Sequence, residues 1–559
     1  VGPDDFDAQW KNGSNLESGV EASVRETIGT AYLSLGLDEK AQANFERVVE
    51  LSGNDPTQHA RVLRARTSLV QILGSLAHYD EALAAATSLE SELRAITPEP
   101  TFDLARLLQN RARIRAQLGD SQAALDDASA ALTLMRSLAN LDPGSEIGAV
   151  AELGQCYSKA SDFVRAETTL REALELHERR GGPDNLGIAA VRHELAGVLL
   201  QLNQLDEASA LVSSALELRT TIAGPRAVPT GESLGLLGRM HVEQGRYDAA
   251  MPLLEDSLAI ALERLPRAHP NVASAMARLA DLLRLKREYA RAVELYRESL
   301  DIRRQLYGEV HPVVARSISN LGLALRDKGD IDEAEVLLRR AIELRRTMPG
   351  EENGLASTLS ALGGVLQRRG LRDEQLAIER EAIEIRRRSA TPDESGLAAA
   401  LATHASTLQD VGRHAECIAV LLEVVTLRAS VFGEGSPRHA RAVSDLGSAY
   451  LFNKEGEAAL THLRRALEMQ RKVLAPEDPD IALTLERAAS ALCSLSKPEE
   501  SLEHWSAALT ILRTKLGVKH ARSLRVADRY ATTLRDLGRE ADAVALEAEF
   551  GITRETAAK

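Results

Sequence analysis

The 559-residue chain has three cysteines, Cys156, Cys417 and Cys493, far apart and in no CxxC pair. That spacing excludes a disulfide framework and a structural zinc site, and it suits a reducing cytoplasm. Aromatic residues make up only 3%, too few for the stacking platforms of a single-strand nucleic-acid binder. A net charge of −14 argues against the dense basic stripe that phosphate neutralisation needs. No apolar run approaches the roughly eighteen residues that cross a bilayer. A polybasic tract and a lipidation signature are missing too, and the start, "VGPDDFDAQWKNG", lacks a basic stretch followed by an apolar one. Nucleic acid and membrane are therefore not expected as partners.

Enzyme motifs are equally scarce. The chain has no GxxxxGK[ST], no HExxH and no GxGxxG. Among thirteen histidines the closest pair is His404 and His414, so no helix face offers metal ligands at i, i+4. No metal and no cofactor is expected, and the chain reads as no enzyme. Arginine outnumbers lysine 57 to 11, a bias that suggests a GC-rich bacterial coding sequence.

What the sequence has in abundance is a period. In "LGLALRDKGDIDEAEVLLRRAIELRR", Leu321 to Arg346, the small residues Gly322, Gly329, Ala334 and Ala341 stand at offsets 0, 7, 12 and 19. Offset zero recurs at Gly29, Val70, Ala112, Gly154, Ala196, Gly238, Ala280, Gly322, Gly363, Ala405, Gly447, Ala489 and Ala531, in ten steps of 42 residues and two of 41. At offset 12 ten of thirteen residues are alanine, the departures being Gln375, Cys417 and Ser501. A fixed period of this length marks an array of one supersecondary unit.

Inside each unit the apolar residues fall every three or four positions, as at Leu321, Leu325, Leu337, Ala341 and Leu344, which is the helical period. A short polar stretch with Gly or Asp, "DKGDID" or "EQGRYD", breaks the unit into two helices. Small residues at offsets 0 and 12 let the two axes come within about 8–10 Å. Each unit is a helix hairpin, and the chain an all-α array of about thirteen of them.

The pattern resembles the tetratricopeptide repeat. "IGTAYLSLGLDEKAQANFERVV", Ile28 to Val49, follows it closely at Gly29, Tyr32, Gly36, Ala41 and Phe45. The usual period is 34 residues, and the surplus of about eight is similar to the kinesin light chain subtype, with a "G-x-x-HP-x-x-A" linker. Here it reads "YGEVHPVVA" at Tyr307 to Ala315, "LPRAHPNVA" at Leu265 to Ala273 and, more weakly, "LAPEDPDIA" at Leu474 to Ala482. The resemblance implies a right-handed superhelical solenoid over residues 21–550, with a lead-in at 1–20 and a polar tail at 551–559. "LESGVEASVRETIGTAYLSLGL", Leu16 to Leu37, is also similar to the segment that opens the repeat region of large bacterial serine/threonine protein kinases. No kinase element is present, so the chain is expected to be the non-catalytic part of something longer.

Two local motifs have the spacing of catalytic ones. "GESLG", Gly231 to Gly235, has the form of a hydrolase nucleophile elbow, but an elbow needs a strand before the turn, and Ser233 falls near the start of a first helix. "SLSK", Ser494 to Lys497, falls at a helix end before Pro498 and reads as a turn.

By resemblance, the concave face is lined by first-helix offsets −6, −3, −2, +1, +4 and +5. Across thirteen repeats those positions hold fifteen Lys or Arg and twelve Asp or Glu, a net of +3 against −17 for the rest of the chain. The excess gathers in two clusters. Repeats two and three supply Arg64, Arg106 and Arg113; repeats seven to nine supply Arg278, Arg284, Arg316, Arg326 and Arg368 against Asp281 and Asp327. Asn110 and Asn320 stand at offset −2, where family members use an amide to clamp an extended peptide, a task that suits a group that both donates and accepts. The ten residues are candidates for binding an acidic or carboxylate-bearing protein or peptide segment, with arginine as bidentate partner. The competing reading is a solvated face whose arginines pair with carboxylates one turn away, as Arg326 with Asp330, each pair contributing about 0.2–0.5 kcal/mol.

The expected function is a non-catalytic, cytoplasmic protein-interaction scaffold, the docking arm of a bacterial signalling kinase. The alternative is a regulatory module whose superhelix changes shape on binding a small peptide or metabolite. Partner identity and oligomeric state are not written in the sequence.

Overall fold

The computed structural model describes residues 18–34, 38–53, 55–96, 101–139, 142–389 and 393–552. Most of the lead-in, up to residue 17, and the tail after residue 552 lie outside them. The described residues hold twenty-six α-helices and a short 3-10 turn, Pro56–Gln58, with no strand among them. The helices run as thirteen pairs, from Ser18–Ser34 with Asp38–Ser52 to Ala521–Asp536 with Glu540–Phe550. The chain is all-α, as its period requires. It packs as two compact units, Val1–Asp330 and Ile331–Lys559, the boundary falling between the two helices of the eighth pair.

Close contact within each pair rests on the small residues. All thirteen side chains at offset 12 are buried to 1% exposure or less, including the three that are not alanine. Across from them, glycine at offset 0 faces the residue at offset 16. A Cβ on Gly154 would lie 2.7 Å from Leu170 Cγ, on Gly238 2.8 Å from Leu254 Cγ, and on Gly447 2.7 Å from Leu463 Cγ. At those distances a methyl does not fit without moving a leucine.

Offset 7 is the turn between the helices, and its backbone is left-handed wherever it is described. Glycine occupies it at Gly119, Gly245, Gly329, Gly370, Gly412 and Gly538, but Ala77, Ser161, Asn203, Arg287, Lys454 and Ser496 take the same conformation, with φ between 57° and 65°. Only glycine does so without steric cost. The cost is carried because the next helix must turn back onto the first.

Nine of the first helices open on a side-chain cap; those that follow Gln58, Ala227 and Glu351 do not. Thr101, Asp142, Asn185, Asp393, Ser436 and Asp478 accept a backbone N–H with a side-chain oxygen, satisfying one of the donors that a helix start leaves free. His269 and His311 accept with Nδ1 and are followed by proline at the first helical position, where its missing N–H costs nothing. The "HP" pair is thus a cap and a helix start.

Candidate functional site

In the first unit the first helices place the charged offsets against one another, and the result is a ladder of ion pairs between neighbouring repeats. Arg64 Nε lies 3.1 Å from Glu26 Oε1. Arg113 pairs with Glu152, and Arg284 Nη1 with Asp327 Oδ2 at 2.8 Å. Arg326 closes on the same Asp327 at 2.8 Å; Asp330 pairs with Lys328 instead, because Asp327 is already beside the Arg326 guanidinium. The second unit repeats the pattern at Arg487 and Asp445, 2.9 Å apart.

Arg113 shows what kind of surface this is. Its side chain keeps 48% of its area open to water, yet protein surrounds it, with Glu152, Cys156 and Glu194 close enough to act on its charge and Glu152 raising its pKa most. Burial also raises the Glu194 carboxyl above its ordinary value and, with Arg219 and Arg278, pushes the His193 ring well below its own.

Two of the candidate arginines stand apart from the ladder. Arg106 lies over the Phe102 ring at 5.9 Å, and Arg278 packs over Gly235, where an added Cβ would lie 2.7 Å from its Nη1. Burial lowers the pKa of both, and neither has a carboxylate within ion-pair distance among the described residues. One belongs to each sequence cluster. Asn320 is half-buried and makes no side-chain hydrogen bond among the described residues. Asn110 differs from the expectation: it is buried, and its amide donates to the Thr67 carbonyl at 3.3 Å, which takes it out of reach of a partner. Arg316 is exposed and close enough to act on the charge of Arg303, and Arg368, in the second unit, is exposed.

Hairpins far apart in sequence meet within the first unit, which closes on itself. His269 Nε2 is 3.1 Å from the Ser75 carbonyl, 194 residues away in the chain, and the ring of Tyr307 stacks on that of Tyr79 with centroids 5.9 Å apart. Hairpins two and three touch hairpins seven and eight.

A second set of arginines escaped the sequence reading. Arg219, Arg303, Arg345 and Arg386, at offset 23, are each buried and reach the opening turn of the next first helix. Arg219 donates to the Pro229 carbonyl at 2.8 Å and to Ser233 Oγ at 2.9 Å, and Arg303 donates to Ser317 Oγ at 2.6 Å. Burial pulls the Arg303 pKa down to about 10. Their signal was the recurrence of arginine at the same 41- or 42-residue step.

The elbow-like motif is explained by packing. Ser233 lies inside the helix Val228–Glu243 with no exposed surface. Its hydroxyl sits 3.4 Å from His193 Nδ1 but also accepts from Arg219, and no substrate atom could approach it. Gly231 makes room for Ile260, and Gly235 for Ser257 and Arg278. Ser494 ends one helix, and Lys497 precedes the next. Among the described residues no group of three acidic, histidine or cysteine side chains could hold a metal, and no helix is long and apolar enough to cross a membrane.

Family models described as tetratricopeptide repeat match residues 22–55, 146–221, 188–263, 271–347, 355–392 and 396–472, together more than half of the chain. A curated relative, a clustered mitochondria protein homolog of Caenorhabditis elegans, is 26% identical over 170 residues, which are 30% of this chain and 14% of that protein. The chain thus spans a small part of that relative's length. Among solved structures, tetratricopeptide-like repeats of a kinesin light chain from Podosopora anserina are 23% identical over 36% of this chain and 97% of theirs, with a TM-score of 0.32. The APC/C hetero-tetramer Cut9-Hcn1 is 14% identical over 97% of this chain and 94% of its own, with a TM-score of 0.47.

Proposed function

The chain belongs to the tetratricopeptide repeat family, and from that premise we propose that it is a non-catalytic scaffold holding an acidic protein segment in the hollow of its first unit, against Arg106 and Arg278. Repeats of this family bind protein partners. The observation that carries the reading is a contrast among the candidates: Arg64, Arg113, Arg284 and Arg326 lie within ion-pair distance of a carboxylate, while Arg106 and Arg278 are desolvated and feel Asp103, or Glu232, Asp281 and Glu194, only from beyond that distance. A buried charged group left unpaired costs about 1–3 kcal/mol or more, and an incoming carboxylate would offset that through the guanidinium fork. Arg64, Arg113, Arg284 and Arg326 would have to release an internal partner first, so they contribute less. In this reading the Asn320 amide holds the segment's backbone.

The test is fluorescence anisotropy with a library of short acidic and neutral peptides, comparing the parent with Arg106→Gln and Arg278→Gln. Each substitution is expected to weaken acidic binders by about tenfold, a change of about 1.4 kcal/mol. Neutral peptides binding as tightly, or the double variant binding unchanged, would refute it. A second reading, the shape-changing sensor, finds support in the closed first unit; a ligand that enlarges the scattering envelope would favour it. Placement beside a signalling kinase in a bacterial cytoplasm rests on the likeness at Leu16 to Leu37 and on the free thiols. Co-purification of a kinase that needs this chain to reach its substrate tests that placement.

A further inference from the structure

The residue that caps a first helix needs only one acceptor, and an Asn, Asp, Ser or Thr oxygen supplies it in six repeats. His269, His311 and His520 supply it with Nδ1, which accepts the N–H two residues on at 3.1, 3.2 and 3.2 Å. Capping alone gives no reason for histidine, which is not among the favoured caps. Its difference is a second nitrogen on the far side of the ring.

In two of the three repeats that nitrogen meets an earlier hairpin of the same unit. His269 Nε2 is 3.1 Å from the Ser75 carbonyl. His311 Nε2 is buried against the backbone of Gln117 and Leu118, without a hydrogen bond of ordinary geometry, and 3.8 Å from where a Cβ on Gly119 would stand. Tyr307 bridges the two contacts: it stacks on His311 at 4.6 Å and on Tyr79 at 5.9 Å. Tyr307 and Leu306 then join the apolar cluster of Leu63, Leu73 and Tyr79. His520, which ends up exposed, is a cap alone.

We propose that these contacts form a clasp that holds the first unit closed, and that protonation of His269 and His311 releases it. A ring whose Nδ1 accepts the cap N–H carries its single hydrogen on Nε2, where it faces the opposing carbonyl. A second proton can go only to Nδ1, and there it removes the cap. Asp38 and Glu232 face His269, and Arg316 and the Tyr307 ring face His311. The Ser75 carbonyl and both acids favour a charged His269, and the Leu118 and Gln117 backbone a charged His311, but burial outweighs them and holds both rings below the ordinary histidine value. The sign follows. A base whose pKa is lowered in the closed form stabilises that form at pH above its free value of about 6.5, and the stabilisation is lost as pH falls below it. This device stands whether or not the hollow takes an acidic segment.

The test uses the full chain at pH 7.5 and 5.5, with small-angle scattering and hydrogen exchange corrected for intrinsic rate. Each histidine raises the opening constant by up to about tenfold between those values, so the pair by up to about 100-fold. The expected result is a larger maximum dimension at pH 5.5 and faster exchange in residues 70–79 and 114–120, with helix content unchanged by circular dichroism. The variant His269→Asn/His311→Asn keeps an oxygen for the cap, as Asn185 does, and loses the far nitrogen. It should be open at pH 7.5 and respond little to acid. Tyr307→Ala touches no cap and should also open the unit at pH 7.5, which keeps the test valid if the double variant fails to fold. Identical scattering and exchange of the parent at both pH values would overturn the proposal, as would a parental acid response in the asparagine variant or a Tyr307→Ala protein that stays closed.

Discussion

Replacing Arg287 or Lys454 by glycine should stabilise this protein, although each substitution deletes a long side chain. Both residues sit at the hairpin turn with φ of 65°, both are exposed, and neither makes a side-chain hydrogen bond or ion pair among the described residues. An L-residue held in the left-handed region costs about 1–2 kcal/mol. Glycine avoids that cost but loses more backbone freedom on folding, about 0.5–1 kcal/mol. The net gain is about 0.5–1 kcal/mol, a two- to fivefold slowing of local opening. Native-state hydrogen exchange is the right assay, because a repeat array opens locally and a single melting temperature blurs the effect. The slowing should appear in helices Pro270–Leu285 and Tyr289–Tyr307 for Arg287→Gly, and in Pro437–Phe452 and Gly456–Val473 for Lys454→Gly. Asn203, at φ 61°, is the internal control: asparagine tolerates this conformation, so Asn203→Gly should gain nothing. Exchange at or above the parental rate in both glycine variants would refute the claim that the fold holds these turns under strain.

Further outcomes follow from the packing and the charges. Gly154→Ala should destabilise by about 1–3 kcal/mol in urea melts, since its methyl would meet Leu170 in a filled core; Gly148→Ala, with open space around it, should be neutral or stabilising. Asp127→Ala should cost about 3 kcal/mol, because buried Arg111 loses two bonds of 2.8 Å to it and keeps only Glu90; a loss under about 1 kcal/mol would contradict a buried ion-pair network. Burial raises the Glu194 pKa, so its contribution to stability is present below the free carboxyl value and lost as pH rises through the folded one. Glu194→Gln should therefore stabilise the protein at pH 7 and have no such effect at pH 4, compared by urea midpoints.

Much of this was legible in the residues. Helix-hairpin periodicity, the small residues at offsets 0 and 12 and the glycine turns are local or one-repeat relations; the 42-residue spacing displays the hairpin thirteen times over, and the glycine turn in seven of those repeats. The period also carried the buried arginines at offset 23, where the signal was present and unread. Other features were illegible for a stated reason. Arg64 and Arg113 count as free cations in a tally of positions, but their partners Glu26 and Glu152 lie on the neighbouring first helix, and only packed helices show which rotamers meet. Asn110 has the residue type and offset of a clamp, yet its amide is turned to the Thr67 carbonyl.

The amino-acid order by itself determined the repeat, the helical class and the recurrence of arginine on the first helices, because each is fixed by contacts within a hairpin or between adjacent ones. Tertiary structure alone decided that Arg106 and Arg278 stand beyond ion-pair distance of the carboxylates that act on them and that hairpins two and three meet hairpins seven and eight. Those outcomes depend on how small rotations between successive hairpins add up over five repeats, and no single repeat encodes that sum.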